Sequence, residues 1–316
     1  MNIYIIIFII LFENHFYQFY NFCSKCINDT IKSNKCQECP LGFIFRGLNI
    51  KSKEKTLNEI INNNKSIARF GDGEYSLILG GKAVFQSYDP ILSKRLFQVL
   101  NSNEKNLLIG INVPYRKKDL EERSESSIKY WEYFFPIYKI NMSKIIKKKK
   151  YYSALISRFY TLFKDKSKSL KYIRKLKKIW DKRDVLIIEG EKTRVGIGND
   201  LFNNTKSIKR IICPVKDAFK YYNKILNLTL KFDKSTLILI SLGPTASVLA
   251  YDLAKYKYQA VDIGHTDIEY EHFLRKAKHA ITIPFKYYSE SKGGTKHVKK
   301  IKDKNYYNQI AYKILD

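Results

Sequence analysis

The 316-residue sequence predicts an α/β domain built on a mostly parallel sheet with flanking helices, and three observations carry that prediction. Short apolar runs at 66–70, 106–112, 185–189, 210–213, 236–241 and 259–263 have the length and composition of buried strands. Helical stretches alternate with them, as in sheets whose parallel strands are joined by crossovers. Several of the runs end in loops that combine glycine with charged residues, and the carboxyl ends of parallel strands are where ligands bind.

In chain order, residues 54–64 read as a helix with Leu57, Ile60 and Ile61 on one face. Residues 66–70 read as a strand ending in a turn at 71–74, and 91–100 as a helix with Leu92, Leu96, Val99 and Leu100 at helical spacing. Residues 106–112 are a buried strand. The stretch 139–183 holds 17 Lys or Arg against 2 Asp, with Tyr151, Tyr152, Phe159, Tyr160 and Phe163 interleaved. It reads as a Lys-rich helical insertion with a helix over 167–180, either a solvated face or a surface for an anionic membrane. From 184 onward the strand–loop–helix alternation is regular, with an apolar helix at 247–255. Residues 286–304 are Lys-rich and contain Gly293-Gly294, which suits a mobile lid or a solvated tail, and 306–315 returns as a helix.

Residues 1–50 form an extension distinct from the domain at 51–316. The run 3–12 is entirely apolar, but ten residues are too few to span a bilayer, and no Lys or Arg precedes it. A weak anchor at a membrane interface, a signal-peptide core and a buried strand all fit it. Cys23-x2-Cys26 and Cys36-x2-Cys39 follow, and two such pairs can give four thiolates to one structural Zn²⁺. The competing reading is reduced thiols on an extension. The fifth cysteine, Cys213, closes an apolar run and reads as a core thiol.

The formal net charge is +28, from 58 basic and 30 acidic residues. Such a balance suggests nucleic acid or an anionic surface. Lysine supplies 47 of the basic residues and arginine 11, however, and lysine is poor material for bidentate recognition. An AT-rich genome writes the same excess of Lys, Ile and Asn into any protein. With no disulfide framework and no clean membrane span, the reading is a cytoplasmic protein, at most peripheral on the inner face of the membrane.

Four strand ends carry chemistry. In Arg69-Phe70-Gly71-Asp72-Gly73-Glu74, two carboxylates on a turn between glycines can project to one side and suit Mg²⁺ or Mn²⁺ beside phosphate oxygens. In the loop from Glu189 to Asp200, Thr193 and Arg194 among glycines can receive an anion, without the order of a P-loop. Gly243-Pro244-Thr245 opens the helix at 247–255, whose free amides are an anion site. Asp262 to Glu271 packs His265, Asp267 and Glu269 right after a strand, a set able to position an acceptor hydroxyl or take its proton.

The combination of these blocks with Phe85-Gln-Ser-Tyr-Asp-Pro90 and Gly196-Ile-Gly-Asn-Asp-Leu-Phe202 resembles the GT-D-type glycosyltransferase domain family over roughly residues 55–285. The resemblance implies a Rossmann-like α/β fold and a bacterial enzyme using nucleotide sugars. It also implies a metal-binding D-x-E motif, here Asp72 and Glu74, and sugar transfer from UDP-sugars to glycan or glycoprotein acceptors. His265 is followed by Thr266 where relatives are expected to have an apolar residue.

Joined to the residue chemistry, this gives an expected site. Asp72 and Glu74 hold Mn²⁺ or Mg²⁺. Arg69, Gly71, Thr193, Arg194, Gly243 and Thr245 serve the nucleotide sugar. Asp267 or Glu269, with His265 nearby, acts on the acceptor. Two other classes compete: a Rossmann-like S-adenosylmethionine methyltransferase, and a non-enzymatic basic binder of nucleic acid. The second has no need of carboxylates gathered at a sheet edge, so nucleic acid is the weaker expectation as partner.

Overall fold

The computed structural model describes residues 48–113, 117–296 and 298–315. The apolar run at 3–12 and the zinc pattern of Cys23, Cys26, Cys36 and Cys39 lie outside the described residues. By compactness the chain divides into two units. One comprises 49–112, 150–161 and 166–316, and the other includes 113–149 and 162–165.

The larger unit begins with β1 (Asn49–Ile50), α1 (Lys53–Asn62), β2 (Ser66–Phe70), α2 (Asp72–Ile78), α3 (Pro90–Leu100) and β3 (Leu107–Ile111). Each of the first helices starts where a cap is available. Ser52 Oγ accepts from Lys55 N at the start of α1, and Asp89 accepts from Ile91 N and Leu92 N at the start of α3, with Pro90 as its first residue. β4 (Lys150–Ser153) follows, then α6 (Ser169–Leu176), β5 (Asp184–Gly190), β6 (Ser207–Cys213) and α7 (Tyr222–Thr229). The unit closes with β7 (Leu237–Ser241), α8 (Thr245–Lys255), β8 (Ala260–Asp262), α9 (Thr266–Leu274), α10 (Lys304–Gln309) and β9 (Ile310–Lys313).

The smaller unit contains α4 (Lys117–Glu121) and α5 (Glu125–Ile145). Ser124 caps α5 by accepting from Ser127 N. Its rings gather locally: Tyr130, Trp131 and Phe134 pack on one another, and the Arg123 guanidinium lies over Phe163.

The nine described strands form one sheet in the order β1-β4-β3-β2-β8-β7-β5-β6-β9, and every neighbouring pair is parallel. The expected parallel α/β architecture is what the chain adopts. After β2 the chain moves one way, to β3 and β4, and after β5 it moves the other way, to β6. β8 and β7 lie between β2 and β5, so the reversal opens the crevice at their carboxyl ends. The central strands are buried on both faces, as the apolar runs require. The core on one face joins Leu57, Ile60, Ile187, Leu239 and Val261 to Trp180, whose indole N–H donates to Leu201 O.

Three expectations are corrected. The stretch 139–183 is not simply a helical insertion: Lys150–Ser153 is a strand of the main sheet, paired with β3 and β1. The helix expected over 306–315 stops at Gln309, and Ile310–Lys313 pairs with β6. The first residues of the 286–304 segment are anchored rather than solvated, because Lys286 and Tyr288 are fully buried and Tyr287 N donates to Lys192 O. Cys213 is buried, as expected of a core thiol. Among the described residues, no helix is long and apolar enough to cross a membrane.

Candidate functional site

The site is built where β2, β8 and β7 end. β2 delivers Arg69 to its last turn, and the guanidinium is held on four sides. Nε donates to Asp262 O and Nη2 to Asp262 Oδ1, while Nη1 donates to Ser157 Oγ and Ala154 O. This ties the ends of β2 and β8 to the turn after β4. A β-carbon on Gly264 would stand 1.9 Å from Arg69 Nη2, and the φ of Gly264 is +40°, so only glycine fits there. Arg69, expected on the nucleotide diphosphate, is in the first place the brace of the crevice floor.

The D-x-E pair does not sit on an extended turn. Asp72 and Glu74 are the first and third residues of α2, and helix positions two apart do not share a face. What turns Glu74 back toward the start of the helix is its own carboxylate, which accepts from Gly71 N at 2.8 Å. Burial, opposed by that hydrogen bond and reinforced by the charges of Asp262 and Asp72, pushes the Glu74 carboxyl up to about 7. Asp72 is exposed, and among the described residues it makes no hydrogen bond or ion pair. A carboxylate left open beside a second one whose charge is disfavoured is a donor set that a hard divalent cation fits. Among the described residues no group of three His, Cys, Asp or Glu side chains is arranged to hold a metal, so two carboxylates are what the protein offers there.

Two neighbours close in on this turn. A β-carbon at Gly73 would lie 3.3 Å from that of Ala83, and one at Gly243 would lie 3.7 Å from that of Phe85. The turn 83–86 therefore spans from the acidic pair to the start of α8. It is pinned farther along by Asp217, which accepts from Ser87 N and whose own N–H donates to Phe85 O. A cleft of about 250 Å³ opens beside it, lined by Lys82, Phe85, Ser87, Lys216 and Asp217 among others. Ser247 Oγ, in the first turn of α8, donates to Arg69 O at 2.7 Å. The first turn of α8 thus sits against the end of β2, and its Ala246 amide already donates to Gly243 O. Thr245 is fully buried there, and its hydroxyl has no hydrogen-bond partner among the described residues.

The loop after β5 is committed to the protein itself. Glu189 is buried in an ion pair with Arg210 at 2.5 Å and accepts from Val195 N. Thr193 N donates to Gly190 O. Arg194 Nη1 donates to Phe285 O and Lys299 O, at 2.6 Å each. Through Nη1, Arg194 braces the C-terminal segment.

The acids of α9 are corrected more sharply. Glu269 is fully buried and accepts from the backbone N–H groups of Phe159, Tyr160 and Thr161 and from the Thr161 hydroxyl. Asp267 pairs with buried Lys286 at 2.5 Å and accepts from Asn199 Nδ2. Glu271 shares Lys286 and Asn199 and pairs with Arg275. Neither Asp267 nor Glu269 can reach an acceptor hydroxyl, because each is sealed inside by the partners that neutralise it.

His265, at the head of α9, is half-buried. Its Nδ1 lies 2.8 Å from Arg158 Nη2, and Arg158 in turn grips Glu290 with both ends of its fork. Burial and then the Arg158 charge push the His265 pKa down to about 3. Glu290 is held well below the usual carboxylate range, against its burial, by Arg158 and His265. Arg158, Lys286 and Glu290 were not foreseen from the sequence. One signal was available for Arg158: arginine is scarce in this lysine-rich chain, and it recurs where a fork is needed. Arg69, Arg95, Arg158, Arg210 and Arg275 all engage carboxylates.

Known proteins resemble this chain along most of its length. A family model described as Glycosyltransferase GT-D fold matches residues 67–291. "Probable glycosyl transferase Gly" of Streptococcus gordonii is 39% identical over 247 residues, covering 78% of this chain and 36% of that protein. "Glycosyltransferase GlyD" of Streptococcus pneumoniae serotype 4 is 35% identical over 279 residues, covering 88% of this chain and 34% of that protein. The chain thus spans about a third of the length of these curated relatives. Among solved structures, a domain of unknown function 1792 described as having a distinct glycosyltransferase fold superposes with a TM-score of 0.82 at 35% identity, covering 87% of this chain and 98% of that one. A second, described as a new glycosyltransferase from Streptococcus sanguinis, gives a TM-score of 0.80 at 35% identity, covering 84% and 99%.

Proposed function

The chain belongs to the glycosyltransferase GT-D fold family, and on that premise we propose that it moves a sugar from a UDP-sugar to a glycan or glycoprotein acceptor with the help of Mn²⁺ or Mg²⁺. The observation that carries the reading is the junction at the end of β2. The open carboxylate of Asp72 and the half-buried one of Glu74 lie beside an α8 start whose Thr245 amide and unpartnered Thr245 hydroxyl suit an anion, joined through the Ser247–Arg69 hydrogen bond.

Asp72 and Glu74 would hold the ion, which supplies charge neutralisation for a leaving diphosphate. The chain's own part is otherwise to bind and orient. The hydroxyl and the amide of Thr245 would receive phosphate oxygens. Phe85, packed on Tyr287, would offer an apolar wall. Arg69 keeps these parts in register by fixing β2 to β8. With Asp267 and Glu269 sealed inside, neither is assigned to the acceptor. The protein would work in the cytoplasm, peripheral to the inner membrane face. The exposed Lys168, Lys171, Arg174 and Lys178 on and around α6 support that arm by their charge.

The test is a thermal-shift screen of nucleotides, nucleotide sugars and S-adenosylmethionine with and without Mn²⁺, followed by a UDP-release assay. A UDP-selective, manganese-dependent rise with measurable UDP release is expected. Stabilisation by S-adenosylmethionine alone, or steeply salt-dependent binding of nucleic acid with indifference to UDP, would overturn it.

A further inference from the structure

The surroundings of His265 fix more than its position. A guanidinium has no acceptor and does not deprotonate in proteins. Arg158 Nη2, at 2.8 Å, must therefore donate to His265 Nδ1. A neutral ring that accepts at Nδ1 carries its proton on Nε2. The groups facing the ring keep it neutral. Arg158 and Arg69 add positive charge, and His272 lies on the same side of the balance. Glu290 opposes them at 3.8 Å, but Arg158 already claims it, and it also accepts from the Tyr288 hydroxyl. Glu269, 3.9 Å from Arg158, serves as further counter-charge to the guanidinium rather than to the imidazole. The Tyr288 ring stands edge-on to His265 with centroids 5.5 Å apart, which limits rotation of the imidazole. The side chain keeps 30% of its surface exposed, and among the described residues Nε2 makes no hydrogen bond.

We propose that His265 serves the reaction as a fixed neutral hydrogen-bond donor, its Nε2–H directed to an anionic oxygen of the bound nucleotide sugar. Arg158 is the positioning residue that selects the tautomer. On this account His265 does not accept the acceptor's proton. The substrate half of the proposal rests on the transferase reading above, whereas the tautomer half stands on the protein alone.

Two measurements on the full chain test it separately. The first is long-range ¹⁵N–¹H NMR of ¹⁵N-histidine-labelled protein between about pH 5.5 and 8.5, with His265 assigned by its loss in His265→Gln. The Nε2–H form is expected throughout, with titration returning in Arg158→Met. An Nδ1–H form, or titration near the ordinary 6.5 in the unaltered protein, overturns the proposal whether or not Arg158→Met folds. The second compares UDP release by His265→Gln and His265→Phe. Glutamine keeps an N–H donor but cannot act as a base, so it should retain activity within about tenfold. Phenylalanine should lose roughly a hundredfold, the scale of one lost donor to a developing anion. Equal losses in the two variants overturn the donor role. If the unaltered protein releases no UDP from any donor, the transferase reading fails, and the NMR result still decides the tautomer.

Discussion

Two acidic clusters follow parallel strands in this protein, and the fold treats them in opposite ways. After β2, Asp72 is left without a protein partner among the described residues and Glu74 keeps only the Gly71 amide. After β8, Asp267, Glu269 and Glu271 are all fully or nearly fully buried and matched by Lys286, Arg275, Asn199 and three backbone N–H groups. Carboxylates at a sheet's carboxyl edge are thus of two kinds. One kind is neutralised by the protein and holds loops together. The other is left for something the protein has to bind. Density of acids favours the second cluster as a site, and partner accounting favours the first.

The largest effect that separates them is on folding. Lys286→Met leaves Asp267 and Glu271 buried without their shared cation, and should cost about 3–5 kcal/mol in denaturant unfolding. A cost below about 1 kcal/mol would mean the α9 acids are solvated after all. Asp72→Asn should do the reverse. Its unfolding free energy should stay within about 0.5 kcal/mol, while UDP release with Mn²⁺ falls about a hundredfold or more, close to 3 kcal/mol of transition-state stabilisation. Near-normal turnover in both Asp72→Asn and Glu74→Gln would remove the metal role.

Acid should find the His265 corner first. The pKa of His265 in the folded protein lies below its ordinary 6.5, so the unfolded chain takes up the proton earlier as pH falls. Stability from this group is complete above about pH 6.5 and is lost below it, by roughly 1–2 kcal/mol at pH 5 for a partly exposed ring. Glu290, whose pKa is also depressed, adds to the loss only below its ordinary 4.5. Tm measured against pH should therefore slope between pH 6.5 and 5, and His265→Gln should reduce that slope, with His272, whose pKa burial also lowers, keeping the remainder. The smallest effect is at Thr245. Thr245→Val removes a buried hydroxyl that has no partner, so ligand-free stability should hold or rise by up to about 1 kcal/mol. Binding of UDP should weaken in the same variant. Unchanged UDP affinity would detach Thr245 from the donor.

The central sheet was legible because strands covered on both faces must be apolar along their length, as in Leu237–Ser241 and Asp184–Gly190. β4 was hidden because Lys150 opens it inside a lysine-rich stretch and only four residues make it. β9 alternates half-buried and exposed residues at the sheet's edge, which is too weak a pattern to break a helical reading. The acidic pair at Asp72 and Glu74 and the glycine at 243 could be found from spacing and strand ends. The fate of Glu269 could not, since the amides that claim it come from residues about 110 positions earlier. Sequence spacing registers which groups are near along the chain, and burial partners at that separation are set only by topology.

The Gly73–Ala83 approach has a consequence for how such domains are sought and altered. The middle letter of D-x-E is a free symbol in a search string, but in this protein it is tied to a side chain ten positions downstream. A pattern that leaves it open will gather chains whose crevice has a different wall. A mutant library that varies residue 73 alone has to displace Ala83 by a few tenths of an ångström, while one that varies 73 and 83 together has room to sample new shapes.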